Sequence, residues 1–175
     1  MKLENLLNQL PEYSKDIKIN MQNLINENNQ YLHIKQLIGC FLACSLTTKN
    51  QKLIDVAKNE ALAILSENEI NAIKIASTLM SMTNIYYRFT HIIDDNEYLQ
   101  MQTGLRMRML IEHKIDKVDF EIYCLAVSII NGCKTCIDAH THQLRNSGLN
   151  KTQIQMIAKI SAVIHALAQV LIIEN

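Results

Sequence analysis

Two thiols and an imidazole recur at helical spacing in the stretch Asn131-Gly132-Cys133-Lys134-Thr135-Cys136-Ile137-Asp138-Ala139-His140. At roughly 100° per residue, positions i, i+3 and i+7 fall within about 60° of one another, so a helix through this stretch presents Cys133, Cys136 and His140 on one face. Asn-Gly is strong turn punctuation; Gly132 closes the preceding helix and leaves Cys133 in the first turn of the next. The positive end of a helix dipole stabilises a thiolate, and an imidazole one turn away can hold or move its proton. The dipole favours Cys133 as the reactive thiol, whereas the i,i+4 relation to His140 favours Cys136. The imidazole is the more direct activation, because a nearby base both lowers a thiol's pKa and takes up its proton.

Such a dithiol is a redox or nucleophile candidate, and two blander readings stand beside it. A Cys-x-x-Cys is also a metal half-site, or a pair of buried small residues. Zinc needs a fourth ligand, and His142 lies about 180° round the helix from Cys133, where a solvated surface histidine is expected. Cys124 has no partner at metal spacing, and Cys40 and Cys44 fall in an apolar run that suits core packing. Glu121, taken alone, reads as a first-turn carboxylate complementing the dipole of its own helix.

The elements that must position these residues are helical by composition. Hydrophobic residues make up 49% of the 175 and charged ones 19%, with one Pro and four Gly, and that scarcity of breakers argues for an all-α protein. We expect about eight to ten helices and no sheet. Lys+Arg and Asp+Glu number 17 each, so no net field attracts nucleic acid or an acidic membrane. The N-terminus has no apolar core of signal-peptide type, and no segment is read as approaching the roughly 20 apolar residues of a membrane span; a cytoplasmic protein is expected. In that reducing compartment the five cysteines are thiols by default, which makes a reversible Cys133–Cys136 disulfide a catalytic rather than a structural proposal. No nucleotide-binding fingerprint is present, which argues against direct reduction by a nicotinamide.

Along the chain, Pro11 is placed as a first-turn residue of a helix carrying Ile17, Met21, Leu24 and Ile25, which the polar cluster Asn26–Gln30 ends. The run Tyr31–Leu46 suits a helix buried on most sides, and Lys49-Asn50 breaks it before a helix carrying Leu53, Val56 and Ala57. Ser66-Glu67-Asn68-Glu69 has the form of a capping box and opens a helix to about Arg88. His91–Gln102 reads as an irregular connection and Leu105–Ile111 as a short helical piece. Asp119 is expected to cap a helix from Phe120 to Ile130. The cysteine helix then runs to Ser147, Gly148 stops it, Asn150 caps the last helix, and Ile154, Ile157, Ile160, Ile164 and Leu167 form its core stripe.

The chain also resembles itself. Leu42-Ala43 falls on Leu125-Ala126, Ser45 on Ser128 and Ile54-Asp55 on Ile137-Asp138; after a one-residue shift, Ile70, Ile73 and Ser77 fall on Ile154, Ile157 and Ser161. The expected organisation is one domain over residues 1–175 built from two weakly similar helical repeats, about 31–90 and 114–173, with the redox site in the second. Where the second half has Cys133, Cys136 and His140, the first has Asn50, Leu53 and Ala57, so the thiols look like an addition to one half.

Glu121, Ala126-Val127-Ser128, Ile130-Asn131-Gly132-Cys133-x-x-Cys136-x-x-Ala139-His140 and Leu144-Arg145 closely resemble the AhpD-like branch of the carboxymuconolactone decarboxylase-like family. So do Leu10-Pro11-Glu12-Tyr13-x-Lys15-Asp16-Ile17-Lys18, Asn84-x-x-Tyr87-Arg88 and Gly104-Leu105-Arg106-Met107. The resemblance implies an AhpD-like helical bundle, a homo-oligomer that is a trimer or a multiple of one, and a dithiol that reduces hydroperoxides and services a peroxiredoxin. By resemblance the external reductant is a dihydrolipoyl group on a dehydrogenase subunit, and no cofactor or metal is bound. Cys136 would be the peroxidatic thiol that becomes the sulfenic acid, Cys133 the proton donor and resolving thiol, and Glu121 and His140 the proton relay. One position departs: the best-known members carry a histidine directly before the second cysteine, where this chain has Thr135, which shortens the implied relay. The competing reading from the same family is a non-redox carboxymuconolactone decarboxylase-like enzyme, which does not depend on a Cys-x-x-Cys.

Overall fold

The computed structural model describes residues 2–27 and 30–174, and among them there are nine α-helices and no strand. In chain order these are α1 (Leu3–Asn8), α2 (Lys15–Glu27), α3 (Ile34–Thr48), α4 (Gln51–Ile64), α5 (Glu67–Ile92), α6 (Glu97–Gln100), α7 (Lys117–Asn131), α8 (Lys134–Asn146) and α9 (Lys151–Ile173). Within the expected Asn26–Gln30 stop, α2 ends at Glu27; Asn28 and Asn29 lie outside the described residues.

Two helices are apolar nearly all round and form the centre. In α3 every residue from Leu37 to Ser45 is buried, and in α7 every residue from Ile122 to Ser128. They pack on each other and share α5 and α9 as neighbours, with α4 added against α3 and α8 against α7. Gly39 on α3 is required by this packing, since a Cβ there would lie 2.2 Å from Tyr123 Cε1 and 2.5 Å from its hydroxyl. Among the buried hydroxyls, Ser45 Oγ donates to Phe41 O at 2.7 Å, Ser161 Oγ lies 3.0 Å from Ile157 O and 3.1 Å from Ala126 O, and the Tyr123 hydroxyl has no hydrogen-bond partner among the described residues. Cys40, Cys44 and Cys124 are buried thiols within this core.

Most stop and start signals act as read. Lys49 adopts a left-handed conformation (φ 59°), and Asn50 Oδ1 then accepts from Leu53 N–H at 3.0 Å to cap α4. Ser66 and Glu69 form the capping box of α5, and Asn150 with Gln153 forms that of α9. Other expectations are corrected. A first helix, α1, precedes Pro11 because Leu3, Leu6 and Leu7 bury one face, and Pro11 itself sits before a 3-10 turn at Glu12–Ser14. The connection holds a short helix, α6, and α5 continues to Ile92, whereas Leu105–Ile111 retains only the 3-10 turn Arg108–Leu110. The cap of α7 is Asp116, whose Oδ1 accepts from Val118 and Asp119 N–H at 2.8 and 3.3 Å; Asp119 instead accepts from Gln36 Nε2 at 2.7 Å, tying α7 to α3. The helix α9 is also long and apolar enough, by length and composition, to cross a membrane, contrary to the expectation that no segment is. Half of its apolar window is buried within the fold, where it packs on α2, α3 and α7.

Candidate active site

The site forms where α7 turns into α8. Gly132 takes φ 65°, a conformation that costs a side-chain-bearing residue far more, and closes α7 with its N–H directed to Ile129 O at 3.1 Å. Cys133 N–H returns to Ser128 O at 3.3 Å, completing a turn that fixes the first thiol. Cys133 is thus the N-cap of α8 and lies just outside its first turn, with Cys136 N–H directed at its Sγ at 3.4 Å. Cys133 and Cys136 are joined by a disulfide, their Cα atoms 5.3 Å apart.

The carbonyl end of α7 is held from the side by α5. Arg88 donates to Asn131 O at 2.7 Å, Asn131 Nδ2 donates to Asn84 Oδ1 at 3.0 Å, and Asn84 Nδ2 donates to Ser128 Oγ at 3.0 Å. Asn84 and Ser128 are buried, so this chain of bonds satisfies polar groups that would otherwise be costly, and it anchors the turn carrying Cys133. Residue reasoning alone did not single out these partners. The signal was present as Asn84, an amide in the middle of a long helix pattern, where it needs a buried partner to be tolerated.

His140 stands one turn beyond Cys136 on α8, and its Nδ1 lies 2.7 Å from Glu121 Oε2 across the α7–α8 interface. The two side chains are 16% and 19% exposed, so the pair is sheltered without being sealed. Glu121 is therefore not a first-turn carboxylate: α7 begins at Lys117, which puts Glu121 beyond the first turn and facing the imidazole. The other nitrogen of His140, Nε2, lies 3.3 Å from Met80 Sδ on α5. His142 is exposed on the far side and bonds Asn146 at 3.2 Å.

A cavity of about 510 Å3 opens onto this group. Thr135, Cys136 and His140 form one wall, and Met80, Tyr87, Leu110 and Ile111 make the rest largely apolar. The two thiols are not equivalent towards it. Cys136 lines the cavity and is 6% exposed, while Cys133 is 0% exposed and lies behind it. Burial pushes the remaining thiols away from reactivity: Cys44 up to about 12, and Cys40 and Cys124 well above the ordinary range. The four expected site residues are thus brought together, with two thiols able to exchange two electrons, a carboxylate–imidazole pair able to hold a proton, and an apolar chamber beside the accessible sulfur.

The carboxymuconolactone decarboxylase family model matches residues 96–171. Over 174 residues the chain is 45% identical to "Alkyl hydroperoxide reductase AhpD" of Coxiella burnetii (strain Dugway 5J108-111), covering 99% of this chain and 98% of that protein. The protein of the same name from Maricaulis maris (strain MCS10) is 42% identical over 175 residues, the full length of both. That from Solibacter usitatus (strain Ellin6076) is 38% identical over 174 residues, covering 99% and 97%. With likeness of this extent over the whole chain, on an all-helical fold with its cysteine pair at the head of α8, the protein belongs to the AhpD-like branch of the carboxymuconolactone decarboxylase family.

Proposed function

We propose that this protein is a thiol–disulfide oxidoreductase that reduces alkyl hydroperoxides through Cys136 and Cys133. The observation that carries the reading is the position of Cys136 on the wall of an apolar cavity, with its disulfide partner wholly buried behind it. An organic hydroperoxide entering the cavity meets Cys136 and not Cys133. The Cys136 thiolate attacks the outer peroxide oxygen; the S–O bond forms as the O–O bond breaks, sulfur is oxidised to sulfenic acid, and the peroxide leaves as an alcohol after taking up one proton. Cys133 then condenses with the sulfenic acid, releasing water and forming the Cys133–Cys136 disulfide.

Cys133 supplies a proton and resolves the intermediate, while Glu121 and His140 relay protons. The 2.7 Å bond between Nδ1 and Oε2 supports that role, since a relay needs its members within hydrogen-bond reach. Thr135 borders the cavity but offers a hydroxyl where the best-known members carry an imidazole, so the relay here is shortened to the Glu121–His140 pair. An external dithiol closes the cycle by reducing the disulfide through a mixed disulfide, two electrons passing from donor to protein. We take a dihydrolipoyl group on a dehydrogenase subunit as that donor and a peroxiredoxin as a further acceptor. The same reading makes the chain a cytoplasmic protein, a single domain of two repeated helix trios, α3–α5 and α7–α9, assembled as a trimer or a multiple of one.

Mass spectrometry of single-thiol variants after a hydroperoxide pulse tests the assignment. Cys133→Ser should react once, carry sulfenic acid on Cys136 and stall; Cys136→Ser should form none. Sulfenic acid on Cys133 in the Cys136→Ser protein, at the wild-type rate, would reverse the two roles.

A further inference from the structure

The imidazole of His140 is engaged at both nitrogens, by Glu121 Oε2 at 2.7 Å and by Met80 Sδ at 3.3 Å. A thioether carries no hydrogen and can only accept, so the contact with sulfur is a hydrogen bond only when Nε2 bears the hydrogen. A neutral imidazole has one N–H. With that hydrogen directed at sulfur, Nδ1 is bare, and a bare nitrogen 2.7 Å from an ionised carboxylate oxygen is repelled. The short contact to Glu121 then requires a second proton, held either as imidazolium against carboxylate or as imidazole against carboxylic acid. Both forms hold one proton more than the arrangement left open without Met80, in which Nδ1–H donates to ionised Glu121 and Nε2 is bare.

Met80 is well placed to enforce this. Its side chain is 2% exposed, on the stretch of α5 that borders the cavity. Two other donors approach the sulfur less closely, Thr83 Oγ1 at 3.7 Å and Asn84 Nδ2 at 3.8 Å. Thr83 has a nearer acceptor in Leu79 O at 3.0 Å, and Asn84 directs one amide hydrogen to Ser128 Oγ at 3.0 Å. His140 is thus the sulfur's closest partner. We propose that Met80 is a positioning residue whose thioether accepts from His140 Nε2–H, keeps the Glu121–His140 pair in its proton-rich form, and so favours the thiolate of Cys136. The inference rests on the reading of Cys136 as the attacking thiol: the proton Cys136 gives up is the one the pair retains. The other titratable groups around the pair are His113 and Cys124, both of which feel the charge of Glu121, together with Tyr87 across the cavity and the Cys133 thiol behind Cys136.

Two measurements on the reduced, full-length protein test this without using peroxide. Nitrogen-15 NMR of the His140 ring, assigned by comparison with His140→Ala, should show Nε2 protonated in the wild type, whereas in Met80→Leu, which keeps the volume and removes the acceptor, Nε2 should be bare and Nδ1 the protonated nitrogen, the pair having given up one proton. In a Cys133→Ser background, alkylation of Cys136 by iodoacetamide at neutral pH should slow about three- to ten-fold in Met80→Leu, the size of one modest hydrogen bond, and recover in Met80→Gln, whose amide oxygen accepts again. Unchanged ring nitrogens in Met80→Leu would overturn the proposal, as would an alkylation rate that falls without rescue by Gln. Loss of the Nε2 hydrogen in Met80→Leu, in a protein that forms no sulfenic acid, would instead sink the peroxide reading and leave Met80's effect on the pair intact.

Discussion

At the residue scale, reactivity is divided among the thiols by burial. Cys40, Cys44 and Cys124 have their pKa raised by desolvation and, like the fully buried Cys133, line no part of the cavity beside Cys136, so iodoacetamide should label the reduced native protein first at Cys136, the three core thiols appearing only after denaturation. Native labelling of Cys124 would contradict this. Removing the imidazole with His140→Ala should slow peroxide attack at neutral pH, with the rate partly recovered in alkaline buffer where the thiolate forms unaided; Glu121→Gln should act in the same direction more weakly. A separate effect belongs to His113, which stacks on Phe120 with ring centroids 4.0 Å apart. Burial lowers its pKa below the ordinary 6.5, outweighing the opposing pull of Glu121 and Asp116. The unfolded chain therefore takes up this proton first as pH falls, so stability should drop as the solution is acidified below that value, and His113→Phe should flatten that part of the denaturant-midpoint profile. The helical spacing of Cys133, Cys136 and His140 made this group legible in the sequence. The contact from Glu121 to His140 was not, because it depends on how α8 folds back against α7.

At the scale of elements, the turn between α7 and α8 was legible because Asn131-Gly132 carries local information: only a residue tolerant of positive φ closes a helix in this way. The short helices were not. The α1 helix is held by three leucines that bury against the rest of the chain, and α6 by local turns in an exposed connection, so neither leaves a long periodic pattern. The cap of α7 was misread by three residues because Asp116 and Asp119 offer the same chemistry, and tertiary contact with Gln36 decides between them. Two substitutions test the packing that presents the turn. Asn84→Ala strips partners from Ser128 and Asn131 and should cost about 1–3 kcal/mol in denaturant unfolding, with slower disulfide formation as the Cys133 turn loosens. Gly39→Ala forces a methyl group against the buried ring of Tyr123 and should destabilise by about 1–3 kcal/mol or more. A neutral Gly39→Ala would show that α3 and α7 are free to move apart.

At the scale of the whole molecule, an apolar surface remains uncovered. Ile85, Phe89 and Ile92 recur at helical spacing on the outer face of α5, and Leu99, Met101, Met109 and Ile111 are exposed on the segment after it, Ile111 at 85%. Apolar surface of this kind suits a subunit interface. Sedimentation at micromolar concentration should therefore give a mass that is a multiple of 20.0 kDa, and Ile85→Lys with Ile92→Lys should lower it; a wild-type monomer would count against assembly through this face. The all-helical character was legible from the scarcity of Pro and Gly, whereas the cavity was not, since its walls come from α5, α8 and the loop before α7. The claim that joins these scales is that one chain transfers two electrons to one hydroperoxide through one pair of thiols. Counting free thiols under denaturing conditions, before and after one equivalent of an alkyl hydroperoxide is added to the fully reduced protein, tests it most directly. The count should fall from five per chain to three, the two lost being Cys133 and Cys136; five thiols remaining after the peroxide is added would contradict the account.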